Sequence, residues 1–111
     1  MKITQVKIPI TPLSINAAFQ GRRYKTQRCR EYENDLWFSL PKKEKITGKV
    51  SMTLEFSLVH HATTDVSNLV KILEDILVKR GYIEDDRMVY ELHLYKSASK
   101  KDSVRITISK P

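Results

Sequence analysis

Hydrophobic and polar residues alternate in four stretches of this 111-residue chain, and each stretch predicts a β-strand. The predicted strands cover residues 2–10, 47–59, 88–96 and 103–109. The second is the most regular, with Val50, Met52 and Leu54 on one side and Ser51 and Thr53 on the other. The last two are separated by a short polar loop, which predicts that they form an antiparallel hairpin.

Two other stretches show helical spacing. From residue 26 to 40, Cys29 and Leu36 belong to an apolar series at intervals of three and four, and Pro41 follows. The segment 65–80 has one apolar face and is followed by Gly81, the residue favoured after a helix C-terminus. Trp37 is expected in the core. The polar segment from Thr11 to Tyr24 is expected to be a long loop.

The order β-α-β-α-β-β predicts an α+β fold, with a mixed β-sheet and two helices packed on it. The length of the chain argues for a single domain over residues 1–111. No apolar run approaches the ~18 residues of a membrane helix, and the N-terminus lacks a signal-peptide core. With Cys29 as its single cysteine, the chain suits a reducing compartment, so we expect a cytoplasmic protein without thiol-bound zinc. No glycine-rich phosphate loop occurs, and no nucleotide cofactor is expected.

Charge is distributed unevenly along the chain, which carries a formal net charge of +7. Residues 1–50 hold eleven Lys and Arg against four acids, whereas residues 51–111 hold nine of each. The densest part, called the basic segment below, consists of Arg22, Arg23, Lys25, Arg28 and Arg30. Such a segment favours a polyanionic partner such as DNA. A solvated basic surface without a partner is the alternative.

The second predicted helix carries a polar stripe beside its apolar face, formed by Asp65, Asn68, Lys71 and Asp75. A polar stripe next to the core is a good place for a functional site. Two simpler interpretations stay open. Asp65 is a favourable N-cap residue, and Lys71 and Asp75 have the i, i+4 spacing of a surface ion pair.

A second acidic group, Glu84, Asp85 and Asp86, follows this helix. Adjacent carboxylates suit a hard cation such as Mg²⁺ or Mn²⁺. Ten helical residues span about 15 Å, so Asp65 and Asp75 cannot share one ion. Asp86 could join Asp65 if the chain returns beside the start of the helix.

The segment TDVSNLVKILEDILVKRGYIEDDRMV resembles the central motif of the RusA family of Holliday junction resolvases. In that family a helix start with Asp-x-Asp-Asn and a following Lys precedes Asp-Ala-Leu, a Gly-aromatic turn and an Asp-Asp pair. Pro12, Ser14 and Asn16 are similar to the family's Pro-x-Ser-x-Asn loop, and residues 24–32 to the basic entry into its first helix.

This resemblance implies a homodimeric, Mg²⁺-dependent endonuclease that recognises four-way DNA junctions and cuts two strands symmetrically. By position, Asp65 and Asp86 match metal-binding acids of the family, and Lys71 matches its catalytic lysine. The remaining matches are the motif residues Asn68, Asp75 and Asp85. The basic segment is the candidate DNA-binding surface.

The sequence departs from the family at Ser67, which stands where the motif has its second Asp. One anionic metal ligand is therefore missing, and the Ser67 hydroxyl or Asp85 would have to compensate. Three hypotheses follow: a junction-resolving nuclease, a DNA-binding dimer with weakened catalysis, and an adaptor whose acids serve only as caps and turns.

Overall fold

The computed structural model describes residues 3–20 and 24–111 and contains a four-stranded sheet, a two-stranded ribbon and three helices. The elements are β1 (Ile3–Ile8), α1 (Ile15–Ala18), β2 (Phe19–Gln20), β3 (Tyr24–Lys25), α2 (Gln27–Ser39), β4 (Val50–Leu58), α3 (Val70–Lys79), β5 (Val89–Ala98) and β6 (Ser103–Ser109). Short 3-10 turns cover His61–Thr63, Val66–Leu69 and Asp86–Met88. In the described ranges no helix is long and apolar enough to cross a membrane.

The predicted fold class is confirmed, since the main elements follow the order β-α-β-α-β-β and the larger sheet is mixed. Its strand order is β1-β6-β4-β5, with β4 and β5 parallel and β6 antiparallel to both β1 and β4. Between β4 and β5, α3 carries the chain back across the sheet, as a parallel crossover requires.

The predicted hairpin between the last two strands is wrong, because β6 lies between β1 and β4 while β5 occupies the sheet edge. The distribution of apolar residues explains this order. Val104, Ile106 and Ile108 of β6 are fully buried, as befits a central strand, whereas Leu92 of β5 is 42% exposed. Alternation along one strand predicts the strand itself but does not identify its neighbours.

The segment predicted as a loop, residues 11–24, contains regular structure in its described part. The helix α1 and the ribbon strands β2 and β3 lie there, so the prediction of a structureless loop is wrong. Thr26 joins this segment to α2: its backbone N–H and hydroxyl donate to Ala18 O at 2.8 and 3.2 Å, and its hydroxyl oxygen accepts from Cys29 N at 3.2 Å. Thr26 is thus the N-cap of α2.

Both long helices pack their apolar faces on the sheet. Cys29 is fully buried, and Leu36, Leu73 and Leu77 join the same core as the inward side chains of β4. Trp37 is 37% exposed and lies under the Arg80 guanidinium at 4.8 Å, so its predicted core position is wrong. The core fixes α3 with its polar stripe turned outward.

Candidate active site

Asp65 begins the polar stripe as an N-cap. Its Oδ1 accepts hydrogen bonds from Ser67 N at 3.1 Å and from the Ser67 hydroxyl at 2.8 Å. The residue caps the 3-10 turn Val66–Leu69, after which α3 starts at Val70 rather than at the predicted residue 65. The N-cap interpretation of Asp65 is therefore confirmed, and its exposed carboxylate remains available to a ligand.

Lys71, in the first turn of α3, joins two acids. Its Nζ lies 3.0 Å from Asp86 Oδ2 and 3.4 Å from Asp75 Oδ1, so the predicted i, i+4 pair with Asp75 is confirmed. Asp86 follows the Gly81 turn, and it reaches Lys71 because the chain returns along the helix. The expectation that Asp86 and Asp65 share one ion stays a prediction. We call Lys71, Asp75 and Asp86 the lysine–carboxylate cluster. Their side chains are 53%, 44% and 40% exposed, respectively.

The three adjacent acids after α3 turn to different partners. Glu84 accepts a hydrogen bond from Gly48 N, which ties the turn to the start of β4. Asp85 caps the turn Asp86–Met88 by accepting from Arg87 N at 3.1 Å, and only Asp86 contacts Lys71. The three carboxylates therefore do not share one partner.

Charge and burial shift several pKa values around the cluster. Hydrogen bonding to Asp86, then the charge of Asp75, raises the pKa of Lys71. The pKa of Asp86 is lowered, first by its hydrogen-bonding contact with the Asp85 carboxyl group and then by Lys71. Hydrogen bonds from Ser67 lower the pKa of Asp65. All three groups are consequently charged at neutral pH.

The oxygen-rich donor set suits a hard cation chemically, but its arrangement does not yet form a complete metal site. Within residues 3–20 and 24–111, no three His, Cys, Asp or Glu side chains are grouped to hold a metal ion. The carboxylate of Asp65 accepts a hydrogen bond from Ser67, and that of Asp86 accepts one from Lys71. Asp75, Asp85 and Asp86 line an open cavity of about 190 Å³ beside Lys79.

The basic segment belongs to the first half of the chain, before the acids around α3. Arg22 and Arg23 fall outside the described residues. Arg28 and Arg30 are exposed on α2, whereas Lys25 Nζ forms an ion pair with Glu33 at 2.8 Å. Of the described cations in this segment, Arg28 and Arg30 therefore present the more accessible charges.

Glu74 is a residue of this region that sequence reasoning missed. Burial raises the pKa of its carboxyl group, and the negative charge of Asp86 adds to the rise. Glu74 lies on α3 directly before Asp75, the last residue of the polar stripe, but it matches no acid in the motif. Only its half-buried position in the structure identifies it. A carboxyl group with a raised pKa beside exposed acids is a candidate proton donor or acceptor.

Comparisons with known proteins identify the family to which this chain belongs. The sequence model described as Endodeoxyribonuclease RusA matches residues 12–109, which include the basic segment, α3 and the acids that follow it. The chain therefore belongs to the RusA endodeoxyribonuclease family, and the resemblance found in the sequence is confirmed. A particular relative is the crossover junction endodeoxyribonuclease RusA of Aquifex aeolicus (strain VF5), which is 28% identical over a region covering 79% of this chain and 73% of that protein.

Proposed function

We propose that this protein is an endonuclease that resolves four-way DNA junctions by paired symmetric cuts during recombination and repair. The observation that carries the proposal is the family match over residues 12–109, because it spans both the basic segment and the acids around α3. A single acidic turn or a single basic run would not distinguish a nuclease from other proteins.

The residues proposed for the chemistry lie around the start of α3. The Lys71 ammonium is half exposed and can meet a phosphate oxygen, where it would stabilise charge that develops during hydrolysis. We propose that Asp65 and Asp86 bind Mg²⁺, or Mn²⁺ in its place, with Asp85 and the Ser67 hydroxyl as further oxygen donors. When bound, such a cation supplies charge neutralisation and lowers the pKa of a bound water. Asn68 and Asp75 support the motif.

The proposed DNA contact is the basic segment. An acidic site alone repels the phosphate backbone, whereas cations elsewhere on the protein release the counterions of DNA and provide affinity. The exposed guanidinium groups of Arg28 and Arg30 suit this role, and we include Arg22, Arg23 and Lys25 on the basis of their charge.

We further propose that the protein is a homodimer, since paired cuts in two strands need two sites. The edge strand β5 supports an interface, because eight of its ten residues are exposed and they include Tyr90, Leu92 and Tyr95. A long exposed edge with apolar side chains is the kind of surface that pairs with another strand.

Leu92→Glu should shift a dimer towards monomers in sedimentation equilibrium. Ile3→Glu, at an even more exposed apolar position on the opposite edge strand, should not.

The test of the proposed activity uses a labelled synthetic four-way junction, incubated with the pure protein with and without Mg²⁺ or Mn²⁺. Paired symmetric nicks that require the cation support the proposal. Retention of the junction on a gel without cutting supports the second candidate, a DNA-binding dimer with weakened catalysis. The observation that favours this second candidate is Ser67 in place of a motif carboxylate, together with its hydrogen bond to Asp65.

We also propose that this reaction takes place in the cytoplasm. The single, buried Cys29 is compatible with a reducing compartment and leaves no partner in the chain for a disulfide. Fractionation of host cells with an antibody against the protein would test this location.

A further inference from the structure

The lysine–carboxylate cluster places a positive charge directly against Asp86, a proposed ligand of the metal ion. Lys71 Nζ is 3.0 Å from Asp86 Oδ2 and 3.4 Å from Asp75 Oδ1, and these acids belong to different parts of the fold. Asp75 lies on α3, while Asp86 begins the 3-10 turn that leads into β5. The ammonium group thus bridges two carboxylates that would otherwise repel each other.

An ammonium group and a divalent cation that contact the same carboxylate repel each other. Mg²⁺ binds carboxylate oxygens at about 2.0–2.1 Å, and Lys71 Nζ lies 3.0 Å from one of these oxygens. Both cations would then be a few ångströms apart, where repulsion between their charges is strong. Lys71 at its observed position therefore opposes binding of the metal to Asp86, and binding favours movement of the Lys71 side chain away from this carboxylate.

The surroundings of Lys71 permit this movement. The side chain is 53% exposed, and a lysine stem has several rotatable bonds, so the ammonium can turn outward without disturbing the core. Ser67 strengthens the competition, because the position offers a hydroxyl that already donates to Asp65 rather than another carboxylate. A cation at this site has fewer anionic oxygens with which to displace Lys71.

We propose that Lys71 is an internal counter-ion of Asp86 and Asp75 that competes with a divalent cation and turns outward when the cation binds. The displaced ammonium then becomes free to contact a phosphate of DNA. Lys71 therefore lowers the affinity for the cation in the absence of DNA. The proposal rests on the proposed function only in taking Asp86 as a ligand of a divalent cation.

The experiment measures Mn²⁺ binding by titration calorimetry on the full chain, with no DNA present. Lys71→Met keeps most of the side-chain length and removes the charge, and it should bind Mn²⁺ at least about tenfold more tightly than the unmodified protein. The matched control is Lys79→Met. Lys79 lines the same cavity as Asp75 and Asp86 but, among the described residues, makes no ion pair with either. Its loss should change Mn²⁺ affinity by less than about threefold.

A double variant assigns the gain in affinity to the proposed carboxylate. Lys71→Met combined with Asp86→Asn should lose the tighter binding, because the oxygen that Lys71 had shielded is no longer anionic.

Thermal unfolding provides a second measurement that does not depend on calorimetry. Without the cation, Lys71→Met should unfold at a lower temperature than the unmodified protein, and Mn²⁺ should raise its unfolding temperature by more.

The proposal is overturned if Lys71→Met binds Mn²⁺ as weakly as the unmodified protein, or if Lys79→Met gives an equal gain. It is also overturned if none of these proteins binds Mn²⁺ at millimolar concentration. Failure of the proposed nuclease activity would look different. In that case Lys71→Met would still tighten Mn²⁺ binding, while the unmodified protein would leave four-way junctions uncut.

Discussion

Asp65 combines two roles that a substitution can separate. Its carboxylate caps a turn by accepting hydrogen bonds from Ser67, and it is also a proposed metal ligand. Asn is as good an N-cap as Asp but carries no charge. Asp65→Asn should therefore keep the free energy of unfolding in urea close to that of the unmodified protein, while cutting of a four-way junction is lost.

Binding of the junction by Asp65→Asn should persist or strengthen, because a negative charge near DNA is removed. The same outcome is expected for Asp86→Asn. Gel retention and cleavage on the same labelled junction would measure both effects. If Asp65→Asn still cuts at the normal rate, Asp65 is only a cap and its catalytic assignment is wrong.

Ser67 provides the next prediction at the scale of single residues. Ser67→Asp places a carboxylate beside Asp65, so it should tighten Mg²⁺ binding and raise cleavage at low Mg²⁺ concentration. When a chelator removes the metal, the variant should be less stable than the unmodified protein. It loses the hydroxyl that donates to Asp65 and gains a second negative charge beside the Asp65 carboxylate.

The neutral variant Ser67→Asn, of nearly the same size as Ser67→Asp, separates charge from shape. It should show neither the tighter Mg²⁺ binding nor the increased cleavage. Calorimetry and cleavage across a range of Mg²⁺ concentrations would measure both variants. Unchanged metal dependence in Ser67→Asp would mean that the active site does not use this position.

At the scale of elements, periodicity predicts the helices and strands but not how the strands pair. The predicted strand at residues 103–109 has the observed bounds, and the predicted helix at 26–40 differs from α2 by one residue at each end. The parallel partnership of β4 and β5 depends on the path of α3 across the sheet, which leaves no pattern within either strand. The ribbon of β2 and β3 was missed for a similar reason, since two-residue strands are too short to alternate.

Thr26 should stabilise the junction between α1 and α2 more than a simple cap does. Its hydroxyl accepts from Cys29 N and donates to Ala17 O at 3.1 Å, so it links the preceding segment to the helix. Thr26→Ala should lower the free energy of unfolding by about 1–2 kcal/mol. Thr26→Ser, which keeps the hydroxyl, should lose less than about half of that amount. Urea denaturation would measure both; an equal loss in the two variants would place the effect in the methyl group instead.

Gly81 allows the chain to turn back from α3 towards the acids. Its φ of +85° lies in the left-handed region, and a Cβ there would meet no atom within 4 Å, so the cost of a side chain is conformational rather than steric. Gly81→Ala should cost about 1 kcal/mol in urea denaturation, and Gly81→Asn should cost less because Asn tolerates this region. Equal stability of Gly81→Ala and the unmodified protein would contradict this assignment.

For the molecule as a whole, the residue types of the candidate site could be predicted from the sequence, but their contacts could not. The motif places acids at 65, 75, 85 and 86 and a lysine at 71. The pairing of Lys71 with Asp86 spans fifteen positions and depends on the return of the chain after Gly81. The same holds for Lys25, whose charge suggested a DNA contact although its ammonium pairs with Glu33.

The concentration of positive charge in the basic segment predicts how DNA binding responds to salt. We expect each protomer to neutralise about four to six phosphates. A plot of the logarithm of the binding constant against the logarithm of the salt concentration should then fall with a slope of about −0.9 for each phosphate contact. Replacing Arg22, Arg23 and Lys25 with Ala should make this slope shallower. Because Glu33 already neutralises Lys25, the double variant of Arg22 and Arg23 should account for most of the change.

The control replaces Lys100 and Lys101, two lysines of the loop between β5 and β6, with Ala. It removes as much charge from the protein as the double variant of Arg22 and Arg23, yet it should leave the slope nearly unchanged. Fluorescence anisotropy of a labelled junction at several salt concentrations gives the slope directly. If the control and the double variant flatten it equally, binding responds to net charge alone. If neither variant flattens it, DNA contacts another surface of the protein.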